Sequence, residues 1–322
     1  MKCPSLSVVM PNYNHSRFLP SSVAAIARQS IPADEIIVID DASTDNSLEV
    51  LECLARQYPS LKVLRNPVNQ GVAGAVNRGL EAATGDFICL QGADDEVMPG
   101  FFERSLPLLA AHPEAGLCAG ICRMVDVNSN LSYDFGRNIN SVPCFLSPQQ
   151  VVQLVRQHRF LVFGTAVLWR HDAMLRAGKF HAALRWHSDW FPMFALAFRH
   201  GMCFVPEVLA EFRSRPSSLS NSGMKQLRIQ LEVLRYALDL LDQPDNEDIA
   251  PLFRQSGALA SFGKEMLWLI FSHRKYWKNL NPTYLRLALW WTLRIEAKKI
   301  LPRSVARLYY KMAGVSADSP AT

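Results

Sequence analysis

Residues 86–99 read DFICLQGADDEVMP. The first five, Asp86 to Leu90, form an apolar run of strand length that stops at a polar turn. Two adjacent carboxylates, Asp94 and Asp95, follow almost at once. Like charges this close repel unless they point apart or share a cation. Asp favours turns, and carboxylates are hard ligands for divalent metals, so a turn and a metal site both fit this stretch taken alone.

The flanking chain supplies the frame. Upstream, LSVVM (Leu6 to Met10), EIIVID (Glu35 to Asp40) and LKVLRN (Leu61 to Asn66) are further strand-length apolar runs. Between them lie SSVAAIARQ, NSLEVLECLARQY and GVAGAVNRGLEAAT, which space their apolar residues as helices do, although the last carries glycines that weaken it. Strands alternating with helices predict an α/β fold with a mainly parallel, Rossmann-like sheet covered on both faces. After Pro99 the pattern loosens. FFERSLPLLAAH reads as a helix, AGLCAGICRMV as a strand, and SPQQVVQLVRQH as a helix opened by Ser147 and Pro148. TAVLWR and MCFVPEVLAEFR are later strands. Arg215–Gly223 (RPSSLSNSG) is a loop by composition, and beyond it the chain reads helical. The expected organisation is a body of residues 1–223, with a first half of about 1–100 and a second of about 101–223. A helical C-terminal region, 224–322, follows.

Composition is that of an ordinary globular chain, 49% hydrophobic and 20% charged, with enough apolar material for a core. The seven cysteines are scattered without metal-site spacing, which predicts buried reduced thiols and a reducing cytoplasm. The opening residues carry too short an apolar run for a signal peptide, and no run is long enough to span a membrane. Net charge is +5 but unevenly placed. From Lys264 to Gly314 eleven Lys and Arg meet two acids, Glu265 and Glu296, so the rest of the chain is net acidic. Nothing points to nucleic acid as a partner.

In an open α/β sheet, ligands bind at the carboxyl ends of the strands. Here three strands exit into polar loops on that edge: PNYN, DDAS and QGADD. No GxGxxG follows the first strand, which makes a dinucleotide site a weak reading, and no P-loop is present. A diphosphate could still be held by a divalent cation, Mg²⁺ or Mn²⁺, between carboxylate and phosphate oxygens.

These segments, together with HSDWFPMFALAFRHG and VPEVLAEFRSRPSSLS, resemble family 2 glycosyltransferases of GT-A fold, in consistent order from Leu6 to Ser220. The resemblance implies that Pro11 and Tyr13 lie along the nucleotide and that Asp41 bonds the base. It puts Asp94 near the ribose, Asp95 on the metal, and Asp189 at the place of the catalytic base. Two departures stand out: Gly92 replaces the first acid of the usual Asp-x-Asp-Asp, and Ser188 precedes Asp189 where many members have Glu. The implied activity is inverting transfer from a nucleotide-sugar, UDP-linked by preference, to a carbohydrate or lipid-linked hydroxyl, in cell-surface polysaccharide or glycolipid assembly.

Each residue also has a structural reading. Asp40, Asp41, Ser43 or Asp45 can cap the next helix, with Ser43 or Asp45 favoured as cap and Asp41 as ligand. Asn14 and His15 suit a turn, Asn77 and Arg78 local bonds, and His187 packing. Asp189 opens a helical stretch and could cap it. Trp186 and Trp190 could stack on a sugar or fill the core. The basic C-terminal region, with Trp290, Trp291, Tyr309 and Tyr310, fits peripheral contact with an anionic membrane or a helical appendage packed on the body. The rival function is a catalytically idle binding or assembly protein acting through that region. A nucleotidyltransferase fits less well, because PNYNHS is not a glycine-rich basic loop.

Overall fold

The computed structural model describes residues 4–128, 131–215, 224, 226–300 and 316–318. Strand β1 (Leu6–Asn12), helix α1 (Leu19–Ala27), β2 (Glu35–Asp40), α2 (Ser47–Gln57), β3 (Leu61–Arg65), α3 (Gly71–Ala82) and β4 (Phe87–Leu90) follow the predicted alternation. β1 pairs in parallel with β2 and β4, and β2 with β3, giving the order β3-β2-β1-β4. Side chains alternate across the sheet. Val9, Ile37 and Ile39 enter one buried cluster, and Val8, Met10, Ile36 and Val38 the other. Cover on both faces is why β2 is buried at all six positions and shows no polar alternation. One glycine of α3 has a packing reason against the sheet: a Cβ on Gly79 would sit 2.3 Å from Val9 Cγ1. Helix and sheet approach too closely for a side chain there, which offsets the lower helix propensity of glycine.

Beyond β4 the sheet is mixed. β5 (Glu96–Val97), α4 (Phe101–Ala111), β6 (Leu117–Asp126), β7 (Leu131–Phe135) and β8 (Cys144–Leu146) come next. They lead to α5 (Pro148–Arg156), β9 (Val167–Arg170), α6 (His171–Arg176), α7 (Trp190–His200) and the long β10 (Met202–Ser214). β9 lies between β4 and β6 and runs antiparallel to both. β10 runs parallel to β6, while β5, β7 and β8 join antiparallel. The first four strands are thus all parallel, while the rest of the sheet mixes one parallel pair, β6 with β10, with antiparallel ones. α5 begins on a capping box, Ser147 Oγ accepting from Gln150 N and Gln150 Oε1 from Ser147 N.

The C-terminal region is helical: α8 (Leu227–Leu240), α9 (Ala250–Ser256), α10 (Gly263–Ser272) and α11 (Pro282–Ile300). Val233, Leu234, Phe253, Met266 and Leu287 belong to the same buried cluster as Val9 and Ile39, so these helices share the core of the sheet. β11 (Ser316–Asp318) adds antiparallel to β7. Most of the expected boundary loop, and Arg303, Arg307, Tyr309, Tyr310 and Lys311, lie outside the described residues. All the described cysteines are free, and no described helix is long and apolar enough to cross a membrane.

Candidate active site

The carboxyl edge of β1, β2 and β4 is laced together by its own polar side chains. Buried Asn12 donates from Nδ2 to Asp40 Oδ1 at 3.0 Å and to Ser43 Oγ at 3.2 Å. Asn14 adopts φ 57°, a left-handed conformation that Asn tolerates. Its Oδ1 accepts from Thr44 N at 2.7 Å and Asp45 N at 3.2 Å, so the loop after β1 braces the loop after β2. Asp45 accepts from Ser47 N, the first residue of α2, and from Ser16 N, but it stands one residue ahead of the N-cap, which is Asn46 without a side-chain cap bond, so the expected cap at Ser43 or Asp45 is not the one formed. Asp41 turns the other way. Its carboxylate accepts from Asn66 Nδ2 at 2.6 Å, Gln70 N at 2.9 Å and Gly71 N at 2.8 Å, pinning the start of α3. Asn66 is held in turn by Arg78, while Asn77 exchanges bonds with the Phe180 backbone. A carboxylate has about four acceptor positions, so Asp41 keeps about one for a ligand. Pro11 is half-buried at the end of β1, and Tyr13 is 44% exposed on the rim.

Asp94 and Asp95 face different partners. Asp94 Oδ2 accepts from Arg215 Nη1 at 2.7 Å, and the Arg215 guanidinium lies 4.3 Å from the Phe18 ring centroid. Asp95 is buried, and its partners are distant: Thr165 Oγ1 and Arg213 N, each at 3.3 Å. Burial first, and then the charge of Asp94, pushes its carboxyl up to about 8. The two acids therefore diverge without losing each other's field. Gly92 fits this geometry, because a Cβ there would stand 2.9 Å from Asp95 Oδ2. A side chain at 92 would require the Asp95 carboxylate to shift from its present position. Ser22 on α1 fixes the turn from below, donating toward the Ala93 and Asp95 carbonyls.

Asp189 stands at the N-cap position of α7 without making a side-chain capping bond. Burial raises its carboxyl above the ordinary range, tempered by the nearby N–H groups of Asp189 and Trp190. It packs on the short 3-10 turn Gly164–Ala166, where a Cβ on Gly164 would fall 2.9 Å from Asp189 Oδ2. The next residue, Thr165, is the one that reaches Asp95. Two carboxyls with raised affinity for protons thus converge on consecutive residues of one turn. Just ahead of the base candidate, Arg185 holds φ 49° and ψ −116°, a strained conformation for a side-chain-bearing residue.

The sequence profile described as "Glycosyl transferase family 2" matches residues 7–178, more than half of the chain. The chain belongs to this family. Among curated relatives, the uncharacterized glycosyltransferase YibD of Escherichia coli K12 is 41% identical over 98 residues, 30% of this chain and 28% of that one. The chain spans between 28% and 42% of the length of the first curated relatives it matches. Among solved structures, S. aureus TarS 1–349 in complex with UDP-GlcNAc gives a TM-score of 0.59 at 16% identity, over 88% of this chain and 79% of that one. Mannosyltransferase PcManGT from Pyrobaculum calidifontis, in complex with GDP-Man and Mn²⁺, gives 0.56 at 17%, over 98% and 85%. At these identities the likeness speaks for the GT-A fold.

Within this family 2 glycosyltransferase, Asp41, Asp94 and Asp95 lie inside the matched residues and Asp189 beyond them. Sequence reasoning missed Gly164, Thr165, Arg213 and Arg215. Arg215 stood in a quoted motif without a role, Thr165 looked like the mere start of a strand, and Gly164 stood just ahead of it in no motif. The tryptophans beside Asp189 are structural. Trp186 Nε1 donates to Gln230 Oε1 at 2.9 Å, and Trp190 packs among Phe194, Phe253 and Phe262. His187 likewise packs against Gln230 and Phe262. The half-buried rings near the turn are Phe163, Phe135 and Phe212, with Phe163 4.7 Å from Phe135 and 6.3 Å from Phe212.

Proposed function

We propose that this glycosyltransferase is inverting and metal-dependent, with Asp189 as its base and Asp95 as its metal ligand. The observation that carries the reading is the convergence of both carboxyls on Gly164 and Thr165. Asp189 would take the proton of an acceptor hydroxyl as that oxygen attacks the anomeric carbon. The bond from that carbon to the diphosphate breaks on the opposite face, and configuration inverts. A carboxyl whose proton affinity is raised by burial suits this role better than a capping one, because it gains more on accepting a proton.

The residues present fit a divalent cation in one way. Among the described residues no group of three or more His, Cys, Asp and Glu could hold a metal. Mg²⁺ and Mn²⁺, however, are commonly held by one or two carboxylates with substrate phosphates completing the shell. A buried carboxylate with only two long hydrogen bonds has lone pairs to give. Asp95 would hold the ion, which when bound supplies charge neutralisation for the departing diphosphate. Pro11, Tyr13, Asp41 and Asp94 would bind the nucleoside, Asp41 through its remaining acceptor position.

A UDP-linked sugar is the first donor to test, since the TarS neighbour is in complex with UDP-GlcNAc; GDP-mannose, seen in the other neighbour, is second. The acceptor would be a carbohydrate or a lipid-linked carrier at a membrane face, in surface polysaccharide or glycolipid assembly. The test is nucleotide release from a donor panel, with chelator and with added Mn²⁺ or Mg²⁺. Release that depends on the ion and is lost in Asp95→Ala agrees with the reading. Undiminished release in excess chelator contradicts it.

A further inference from the structure

Three aromatic rings beside the Gly164–Ala166 turn stand apart from the main core. Phe163 comes immediately ahead of that turn, Phe135 closes β7, and Phe212 belongs to β10. The Phe163 ring lies 4.7 Å from Phe135 and 6.3 Å from Phe212, centroid to centroid. Phe163 and Phe212 pack on a cluster whose buried members are Cys122, Ala166 and Ala210, separate from both large clusters of the sheet. All three rings are half-buried. Small residues below and half-open rings above make a shallow apolar ledge and not a filled interior. Phe160, three residues earlier, shows the contrast: its ring lies 4.9 Å from Phe194, within the main core.

The ledge adjoins both acids. Gly164 follows Phe163, and a Cβ on it would fall 2.9 Å from Asp189 Oδ2. Arg213 follows Phe212, and its backbone N–H reaches Asp95 at 3.3 Å. An acceptor hydroxyl must come within hydrogen-bond reach of its base, so the molecule that carries it lies next to these rings. Charge narrows its chemistry. Arg123 donates to Asp134 at 2.8 and 3.1 Å, and Arg137 pairs with the same buried carboxylate. Arg213 is paired with Glu96 and Glu211, and Arg215 with Asp94. These cations are matched by acids, so they offer little to a phosphate or carboxylate. An uncharged ring with an apolar face of C–H groups and hydroxyls on its rim suits the ledge: the face meets the electron-rich aromatic surface, and a hydroxyl is left for the base.

We propose that Phe163, backed by Phe135 and Phe212, is the stacking platform for the pyranose ring of a neutral carbohydrate acceptor. The inference rests on the transferase reading and narrows its acceptor side from any hydroxyl carrier to a sugar.

The experiment pairs saturation-transfer NMR of the full chain, with Mn²⁺ and UDP or GDP, with acceptor-stimulated nucleotide release. The probes are the methyl glycosides of glucose, galactose, mannose and N-acetylglucosamine, and dodecyl phosphate as an anionic hydroxyl carrier without a sugar. At least one glycoside should receive saturation from the protein and raise release above hydrolysis by water, and dodecyl phosphate should do neither. Phe163→Tyr should keep both effects. Phe163→Leu keeps apolar bulk but loses the aromatic face. It should raise the KM for that glycoside roughly three- to tenfold, with water hydrolysis and melting temperature unchanged. The proposal is overturned if no glycoside receives saturation, if dodecyl phosphate serves in place of every glycoside, or if Phe163→Leu matches the parent. It is also overturned if Phe163→Leu lowers hydrolysis by water as much as transfer, because Phe163 then serves the donor or the scaffold. Failure to release nucleotide from any donor would count against the transferase reading, while saturation transfer that is lost in Phe163→Leu would still support the sugar platform.

Discussion

Two sets of acidic residues share the carboxyl edge of the sheet and its flank, and they are solvated in opposite ways. Asp41 and Asp45 are wrapped by their own chain, each accepting two or three hydrogen bonds from backbone or amide groups. Asp45 is exposed, so slight desolvation is outweighed by bonds from Ser47 and Ser16, and its carboxyl falls to about 2. Glu35, at the far end of β2, behaves the same way: Lys62, Ser7 and Thr84 overcome its burial and hold it at about 2. Asp95 is buried and Asp189 half-buried, each with few or distant side-chain partners, and desolvation raises both. A carboxylate that the fold has largely satisfied braces the scaffold, and any ligand meets only the acceptor position it has left. One that the fold has buried and left short of donors is costly unless a ligand supplies what is missing.

That contrast can be broken by substitution. The largest expected effect is on the rate. Asp189→Asn keeps shape and loses the ability to take a proton, so transfer should fall by about 10²- to 10⁴-fold with melting temperature and donor affinity nearly unchanged. Asn also caps helices well, so a near-normal rate would return Asp189 to the scaffold set. Asp41→Asn should do the opposite. Its amide would confront one of three donors now pointing at it, costing about 1–3 kcal/mol of stability and weakening donor binding, as read by thermal melts and nucleotide titration. A smaller effect is expected at the turn between the two acids. Gly164→Ala adds a methyl 2.9 Å from Asp189 Oδ2 and should displace the base, lowering transfer by about tenfold with donor affinity intact. An unaltered rate would mean that the position of Asp189 is not critical.

The parallel half of the sheet was legible because β1 to β4 and their helices repeat a local pattern within a continuous stretch. The insertion of β9 between β4 and β6 was not, since it depends on pairing Phe87 with Arg170 across the chain, and VLWR alone carries no sign of direction. The short β5 was likewise hidden in what reads as a turn, because its partner in β10 is distant. Acidic loops marked the site, and the family pattern added Asp189, but which acid is satisfied and which is left short could not be read. Thr165 and Arg213 reach Asp95 from other elements, and three of the acceptor positions of Asp41 are taken by residues that follow β3 in the chain. The fate of the tryptophans was equally non-local: Phe253 and Phe262, from the C-terminal helices and the turn between them, bury Trp190.

The most direct test of the contrast is a thermal melt of Asp95→Asn beside the parent protein, in chelator, across pH. With its carboxyl raised to about 8 in the fold and ionising near its ordinary value when unfolded, Asp95 binds its proton more tightly in the native state. The parent should therefore lose stability as pH climbs from about 4 to about 8. Asn carries no charge, can accept from Arg213 N, and can exchange a hydrogen bond with the Thr165 hydroxyl, so the variant should lack this contribution, and the difference between the two proteins isolates it. The account predicts that Asp95→Asn melts above the parent near pH 8, that the gap closes near pH 4, and that Mn²⁺ with UDP stabilises the parent alone. A variant that melts below the parent throughout, or that gains equally from Mn²⁺ with UDP, would put Asp95 among the scaffold acids and contradict the account.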